Sequence, residues 1–187
     1  MIDAEPKLHR WTRDEYRQML ELGWFIDQRV ELVEAEILES LPITNAHAVS
    51  LKLTEDVLAS AFNAGFWVRS QLPLALGEFS EPLPDLAVVT GKPRDYKEHP
   101  TSALLVVEIS DSTLTYDRRQ KAGPYASTGL AEYWIVNLVD RQLEIYRSPT
   151  PDATWPSGWR YGPPAIIESH QHAVIGSVQI AVADLLP

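Results

Sequence analysis

Two neighbouring stretches decide how this chain is read: PLPDLAVV at residues 82–89 and ALLVVEISDSTLTYDRRQKAGPYASTGLAEYWIVN at residues 103–137. Five apolar residues in a row, Ala103 to Val107, mark a strand buried on both faces and therefore central in its sheet. Glu108 stands at the end of that run, where a carboxylate is costly unless a cation or hydrogen-bond donors compensate it. Asp85 opens the short strand DLAVV and lies beside Glu108 if the two strands are neighbours. Two carboxylates forced together either share a proton or hold a metal ion. A helix follows from about Tyr116 to Thr128, with Gly129 as its C-cap. Along it Asp117, Lys121 and Tyr125 fall at i, i+4 and i+8, near one face. If that helix packs back over the end of the strand, Lys121 reaches the same pocket.

Working outward, Thr12 and Glu15 form a capping box for a first helix, with Tyr16, Met19 and Leu20 as its apolar stripe and Gly23 as its stop. RVELVEAEILES (residues 29–40) reads as two short strands or a hairpin. A second helix is expected from Asn45 to Phe62, burying Val49, Leu51, Leu53, Val57, Leu58 and Ala61. FWVRSQLPLAL (66–76) is strand-like, and EYWIVN and QLEIYR, separated by LVDR, form a hairpin or adjacent strands. Residues 148–164, with five Pro, two Gly, Trp155, Trp159 and Tyr161, make an irregular arm whose aromatics pack instead of stacking bases. Ala165–Glu168 and Val174–Val182 are late strands. This order implies one α/β domain over residues 1–187, with a mixed central sheet flanked by helices.

Composition narrows the function. The chain has 187 residues, 16 Lys+Arg against 26 Asp+Glu, a formal net charge of −10 and no cysteine. Zero cysteine rules out disulfides, thiolate metal sites and cysteine nucleophiles, and agrees with a reducing cytoplasm. The longest apolar run is far short of the roughly 20 residues of a membrane span, and the N-terminal residues lack the apolar core of a secretory signal. The acidity argues against coating nucleic acid by bulk electrostatics. Neither G-x-S-x-G nor the Gly-rich nucleotide cradles occur. His170 and His172 have a strand spacing that zinc sites sometimes use, but two histidines at a polar turn are read as incidental.

Two carboxylates, a lysine and a hard divalent cation form a set suited to phosphodiester hydrolysis: the carboxylates hold Mg²⁺ through oxygen, and the lysine orients the attacking water or offsets charge in the transition state. Each residue also has a plainer reading. Asp85 after a proline caps a turn, Glu108 pairs with Arg118 or Arg119, Lys121 pairs with Asp117 on the surface, and His47 caps or packs the second helix.

The order PD, then E, then K resembles the restriction-endonuclease-like PD-(D/E)xK superfamily. More specifically, RVELVEAEIL, NAH at 45–47, PLPDLAVV, LVVEISDST, TYDRRQK followed by PYASTGLAEYWIVN, and the closing VADLLP resemble the Uma-type family, regarded as endonucleases. These motifs run from about residue 10 to the end. The resemblance implies a restriction-endonuclease-like fold and a Mg²⁺- or Mn²⁺-dependent endonuclease acting on nucleic acid, most naturally DNA. Asp85, Glu108 and the Ile109 carbonyl would hold the metal, Lys121 would position the nucleophile, and Glu34 would reach the site from the N-terminal region. His47 and Tyr125 would be site neighbours. A homodimer follows by analogy. Ser110 stands where the superfamily usually has its lysine, so that role passes to Lys121 on the helix. Ala35 replaces the usual glycine in the LVEAEI turn. Pro124 removes a hydrogen bond to the Gln120 carbonyl and is expected to kink or break the helix beside Lys121. The rival readings are a non-catalytic module of the same fold, binding a protein or nucleic acid, and a two-carboxylate glycosidase, which would need no lysine within reach. Weak binding with a steep salt dependence is expected at a basic strip of Arg118, Arg119 and Lys121.

Overall fold

The computed structural model describes residues 6–176 and 178–187. Helix α1 (Arg13–Glu21) starts as the sequence expects: the Thr12 amide donates to Glu15 Oε2 at 2.9 Å and the Glu15 amide to Thr12 Oγ1 at 3.2 Å. Strands β1 (Val30–Val33) and β2 (Glu36–Glu39) form an antiparallel hairpin whose two-residue turn, Glu34 and Ala35, has φ of 51° and 72°. Both turn residues thus sit in the left-handed region, as a tight hairpin demands.

Helix α2 (Asn45–Ala61) is followed by β3 (Phe66–Ser70), β4 (Leu86–Thr90) and β5 (Leu105–Ser110). Strand β3 ends sooner than FWVRSQLPLAL suggests, because Gln71 turns to φ 51° and Pro73 follows. After β5 come α3 (Leu114–Tyr116), a π-helical turn (Asp117–Lys121) and α4 (Ala122–Ser127), then β6 (Glu132–Asn137) and β7 (Gln142–Arg147). The arm holds the two-residue strands β8 (Thr150–Pro151) and β9 (Trp159–Arg160). Strands β10 (Ala165–Glu168), β11 (His172–Ile175) and β12 (Val178–Ala181) and a closing 3₁₀ turn (Val182–Leu185) complete the chain. The late segment 174–182 is therefore divided between β11 and β12 of a hairpin and is not one strand.

The central sheet has the order β10-β7-β6-β5-β4-β3, with β5 and β6 parallel and every other pair antiparallel. It is a mixed sheet flanked by helices, as expected, and β5 lies inside it. Alternation along the strands splits the core into two layers. Leu86, Val88, Leu105, Val107, Trp134 and Val136 face α2, the closing 3₁₀ turn and the β11–β12 hairpin. Ala87, Val89, Val106, Tyr133 and Ile135 face α4 and the arm. Glu108 follows the alternation of Val106, so it points to the α4 side.

Two expectations need correction. The buried stripe of α2 is His47, Ser50, Thr54 and Leu58, not one through Val49, which is exposed. Two of its polar residues have partners: the Ser50 hydroxyl donates to the Leu185 carbonyl at 2.6 Å and His47 Nε2 lies 3.1 Å from Asp85 Oδ1, while the buried Thr54 hydroxyl has none among the described residues. Pro124, second, does not break its helix. One turn earlier the helix widens so that the Ala122 amide bonds Asp117 O, an i to i+5 spacing, and α4 continues through Pro124 to Ser127. The turn ends as the sequence expects, with Gly129 at φ 74° and its amide on Ala126 O.

The arm docks on that helix. A Cβ on Gly123 would collide with the Ser157 side chain, so only glycine admits the contact. The Tyr161 hydroxyl donates to Leu130 O at 2.9 Å and anchors the far end of the arm.

Candidate active site

The antiparallel β4–β5 register, Leu86 opposite Val107, continues outward to set Asp85 beside Glu108. Asp85 is held there from three sides. The Ile109 amide donates to Oδ2 at 2.8 Å, while His47 Nε2 lies 3.1 Å from Oδ1 and the Gln71 side-chain amide 3.4 Å from it. The Asp85 amide in turn reaches Glu108 Oε2 at 3.4 Å. From the helical side, Lys121 Nζ lies 3.1 Å from Glu108 Oε1, and the Tyr125 hydroxyl donates to the same oxygen at 2.8 Å. The i, i+4, i+8 face of the helix does pack over the strand end.

A second glutamate completes the cluster. Glu31, in the middle of β1, lies 3.4 Å from Lys121 Nζ and accepts the Leu83 amide at 2.9 Å. Asp117 sits deeper, accepting the hydroxyls of Ser110 at 2.7 Å and Thr113 at 2.6 Å. These side chains line a cleft of about 380 Å³ whose walls include Arg29, Leu38, Leu41, Pro42, Ile43, Leu83 and Tyr116. The Tyr116 hydroxyl is hidden in that wall without a hydrogen-bond partner.

The hairpin brings Glu31, and not the expected Glu34, to the cleft. Glu34 occupies the β1–β2 turn, where its amide donates to the Ser80 hydroxyl oxygen at 3.0 Å, and it does not line the cleft. Glu31 does. The signal was present in VELV, where a carboxylate is embedded among apolar residues just as Glu108 is in LVVEI. Asp85, Glu108, Ile109, Lys121, His47 and Tyr125 are all brought together. His170 and His172 are exposed, and His170 lies 3.4 Å from Glu168 instead of facing a shared ligand. The basic strip does not form either: Lys121 is buried, Arg118 is bound to Glu144, and Arg119 lies over the Trp155 ring at 5.5 Å.

Four carboxyls, those of Glu31, Asp85, Glu108 and Asp117, surround one ammonium and one imidazole. Burial is the main cause that pushes Glu108 well above the usual glutamate value; Lys121 opposes it, and Asp85, Asp117 and Glu31 add to it. Burial likewise raises Asp117. For Asp85 burial works upward too, but the His47 hydrogen bond and charge, the Ile109 amide and Lys121 hold its carboxyl below the ordinary range. Lys121 keeps its proton because the charges of Glu108, Glu31, Asp117 and Asp85 outweigh its burial. His47 is raised by Asp85 against the effect of burial.

The donors fit a hard divalent cation. Asp85 and Glu108 offer adjacent carboxylate oxygens, and Glu108 Oε2 has only the long contact from the Asp85 amide. The neighbouring negative charges that add to the effect of burial on Glu108 are what a bound cation would offset. Among the described residues no group of three or more His, Asp or Glu side chains is assembled as a cage. Two carboxylates with waters and substrate oxygens filling the remaining positions is the mode of Mg²⁺ in phosphate chemistry.

The sequence model of a family described as "Uma2: Putative restriction endonuclease" matches residues 13–169, from α1 through β10. No curated protein matches the sequence significantly. Among solved structures, a "putative nuclease belonging to DUF820" from Anabaena variabilis superposes with a TM-score of 0.68 at 14% identity, over 94% of this chain and 97% of that one. The type IIG restriction endonuclease BpuSI matches 60% of this chain and 12% of its own at 14% identity, and its TM-score of 0.37 carries no weight here. The likeness to the Anabaena protein is one of fold, and the match along the sequence settles the kinship: this chain belongs to the Uma2 family.

Proposed function

We propose that the protein is a divalent-metal-dependent endonuclease that hydrolyses phosphodiester bonds in DNA. The observation that carries this reading is the approach of Lys121 to Glu108 at 3.1 Å, beside the Asp85–Glu108 pair on neighbouring strands. Asp85 and Glu108, with the Ile109 carbonyl, are the proposed ligands of Mg²⁺ or Mn²⁺. When bound, such an ion lowers the pKa of a coordinated water and offsets charge on the phosphoryl oxygens. Lys121, charged and fixed between Glu31 and Glu108, orients the attacking water and offsets negative charge on the phosphate in the transition state. Glu31 aims Lys121, His47 aims Asp85, and Tyr125 aims Glu108. A lysine this close to the acidic pair argues against the glycosidase reading.

The setting we propose is cytoplasmic, which the cysteine-free composition supports; among the described residues no helix is long and apolar enough to cross a membrane. We also propose pairing of two copies, by analogy with nucleases of this fold. Exposed Leu22, Trp24 and Ile26 offer an apolar surface for it, and light scattering at micromolar concentration tests it.

Incubation with end-labelled DNA and Mg²⁺ or Mn²⁺ tests the main reading. Wild type is expected to cleave and to stop on chelation, while Asp85→Ala and Lys121→Ala fall by about a hundredfold or more. Unchanged cleavage in both variants sinks the assignment. No cleavage, together with no metal-dependent thermal shift, favours a binding module of the same fold.

A further inference from the structure

One wall of the cleft is apolar in a way that phosphate chemistry does not need. Leu41 and Ile43 are 63% and 49% exposed, Pro42 lies between them, and Leu38, Leu83 and the Tyr116 ring complete the surface beside the acidic floor. The segment is held in position: the Thr44 hydroxyl donates to Asp111 Oδ2 at 2.7 Å, tying it to the loop after β5. Exposed leucine and isoleucine carry an unfavourable hydration cost until an apolar group covers them.

From this wall we infer that the cleft takes an unpaired nucleic-acid strand, with the face of a base laid on Leu41, Pro42 and Ile43, and not an intact double helix. The inference rests on the nuclease reading above and names the substrate of that site. Three observations support it. A duplex exposes sugar, phosphate and base edges but keeps the faces of its bases stacked inside, so it offers no base face to cover this shelf. Glu39 and Asp111 also line the cleft and repel the flanking phosphates of a second strand. Finally, a duplex carries one charge per roughly 1.7 Å of axis against one per roughly 3.4 Å for a single strand, so a chain of net charge −10 repels the duplex more strongly. At about 380 Å³ the cleft is also at the small end of ligand sites, suited to a group the size of a nucleotide.

Fluorescence anisotropy with the wild-type protein and Ca²⁺ in place of Mg²⁺, using a labelled 12-nucleotide DNA strand and the matching blunt duplex, tests this directly. The single strand is expected to bind about tenfold more tightly, the size of one well-seated base. Leu41→Ser and Ile43→Ser are each expected to remove about fivefold of the single-strand affinity without changing duplex affinity or the metal-dependent thermal shift. Equal or tighter duplex binding overturns the inference, and so does a single-strand preference that both serine variants retain. Cleavage assays on the wild type separate the two levels. Efficient cutting of blunt duplex alone removes this inference and leaves the nuclease reading intact; no cutting of either substrate removes both.

Discussion

Glu31 and Glu34 are three residues apart, and their difference shows what decides a side chain's role. A strand residue in a four-residue stretch that is buried throughout is directed inward by its neighbours; a turn residue is directed by backbone torsion. Glu34, at φ 51°, is at a position that asparagine adopts with less strain. Glu34→Asn is therefore expected to leave cleavage unchanged and to stabilise the protein by about 0.5 kcal/mol, whereas Glu31→Gln, which removes a charge holding Lys121, lowers cleavage at least tenfold. Paired turnover and thermal unfolding measurements check this, and a loss of activity in Glu34→Asn restores the sequence-based assignment. Asp85, Glu108 and Lys121 were legible because each breaks a local rule: an acid at a strand end, or a lysine on the face of a helix that must turn inward. His47 looked like a capping or packing residue and Tyr125 only like a neighbour of the site, because their chemistry lies in a partner, Asp85 or Glu108, that only the fold supplies.

The helical segment from Leu114 to Ser127 is the element that completes the site, and it is stabilised from outside. Gly123 meets Ser157 so closely that a methyl group has no room. Gly123→Ala is expected to destabilise by about 1–3 kcal/mol, the usual cost of overpacking, and to lower activity by loosening the turn that carries Lys121. Adding Ser157→Gly should recover most of both losses. A double-mutant cycle measures the coupling, and additive effects exclude direct contact as the cause. Neither half was readable alone: GP suggested a helix break, and the Pro-rich arm suggested a loop. What was missing is that the arm lies on the helix and that widening the turn accommodates the proline. The strands were easier, since a run of apolar residues ended by a charge is a local pattern, whereas the polar buried face of α2 depends on distant partners such as Leu185.

For the whole molecule, charge is balanced locally and not overall. Glu144, buried on β7, accepts Arg118 Nη2 at 2.5 Å, the Asn137 amide at 2.7 Å and the Tyr146 hydroxyl at 2.7 Å. Burial works against its charge, but these donors hold its pKa below the usual glutamate value. A carboxyl depressed on folding adds stability that is complete above its unfolded pKa, about 4.3, and is lost as pH falls toward the depressed value. Glu144→Gln is thus expected to cost about 2 kcal/mol at neutral pH and to make less difference below pH 4, read from urea unfolding across pH 3–7. A constant difference over that range rules out the ion pair as its source. Because Lys121 is inside and Arg118 is committed to Glu144, few surface cations remain for phosphates near the cleft. Binding of single-stranded DNA should follow a logarithmic salt slope no steeper than about −2, at about −0.7 per phosphate contact. A steeper slope, measured between 50 and 200 mM salt, would show that a basic surface elsewhere contributes.

The wide turn at Asp117–Lys121 sets an angular phase. An α-helix advances about 100° per residue, so removing one residue between Arg118 and Gln120 would restore regular spacing and swing everything before it relative to everything after it. Leu114 and Tyr116 would keep their seats only if Lys121 and Tyr125 left theirs. The helix carries one residue more than a regular spiral over the same path would hold, and that extra residue lets one element face two directions correctly.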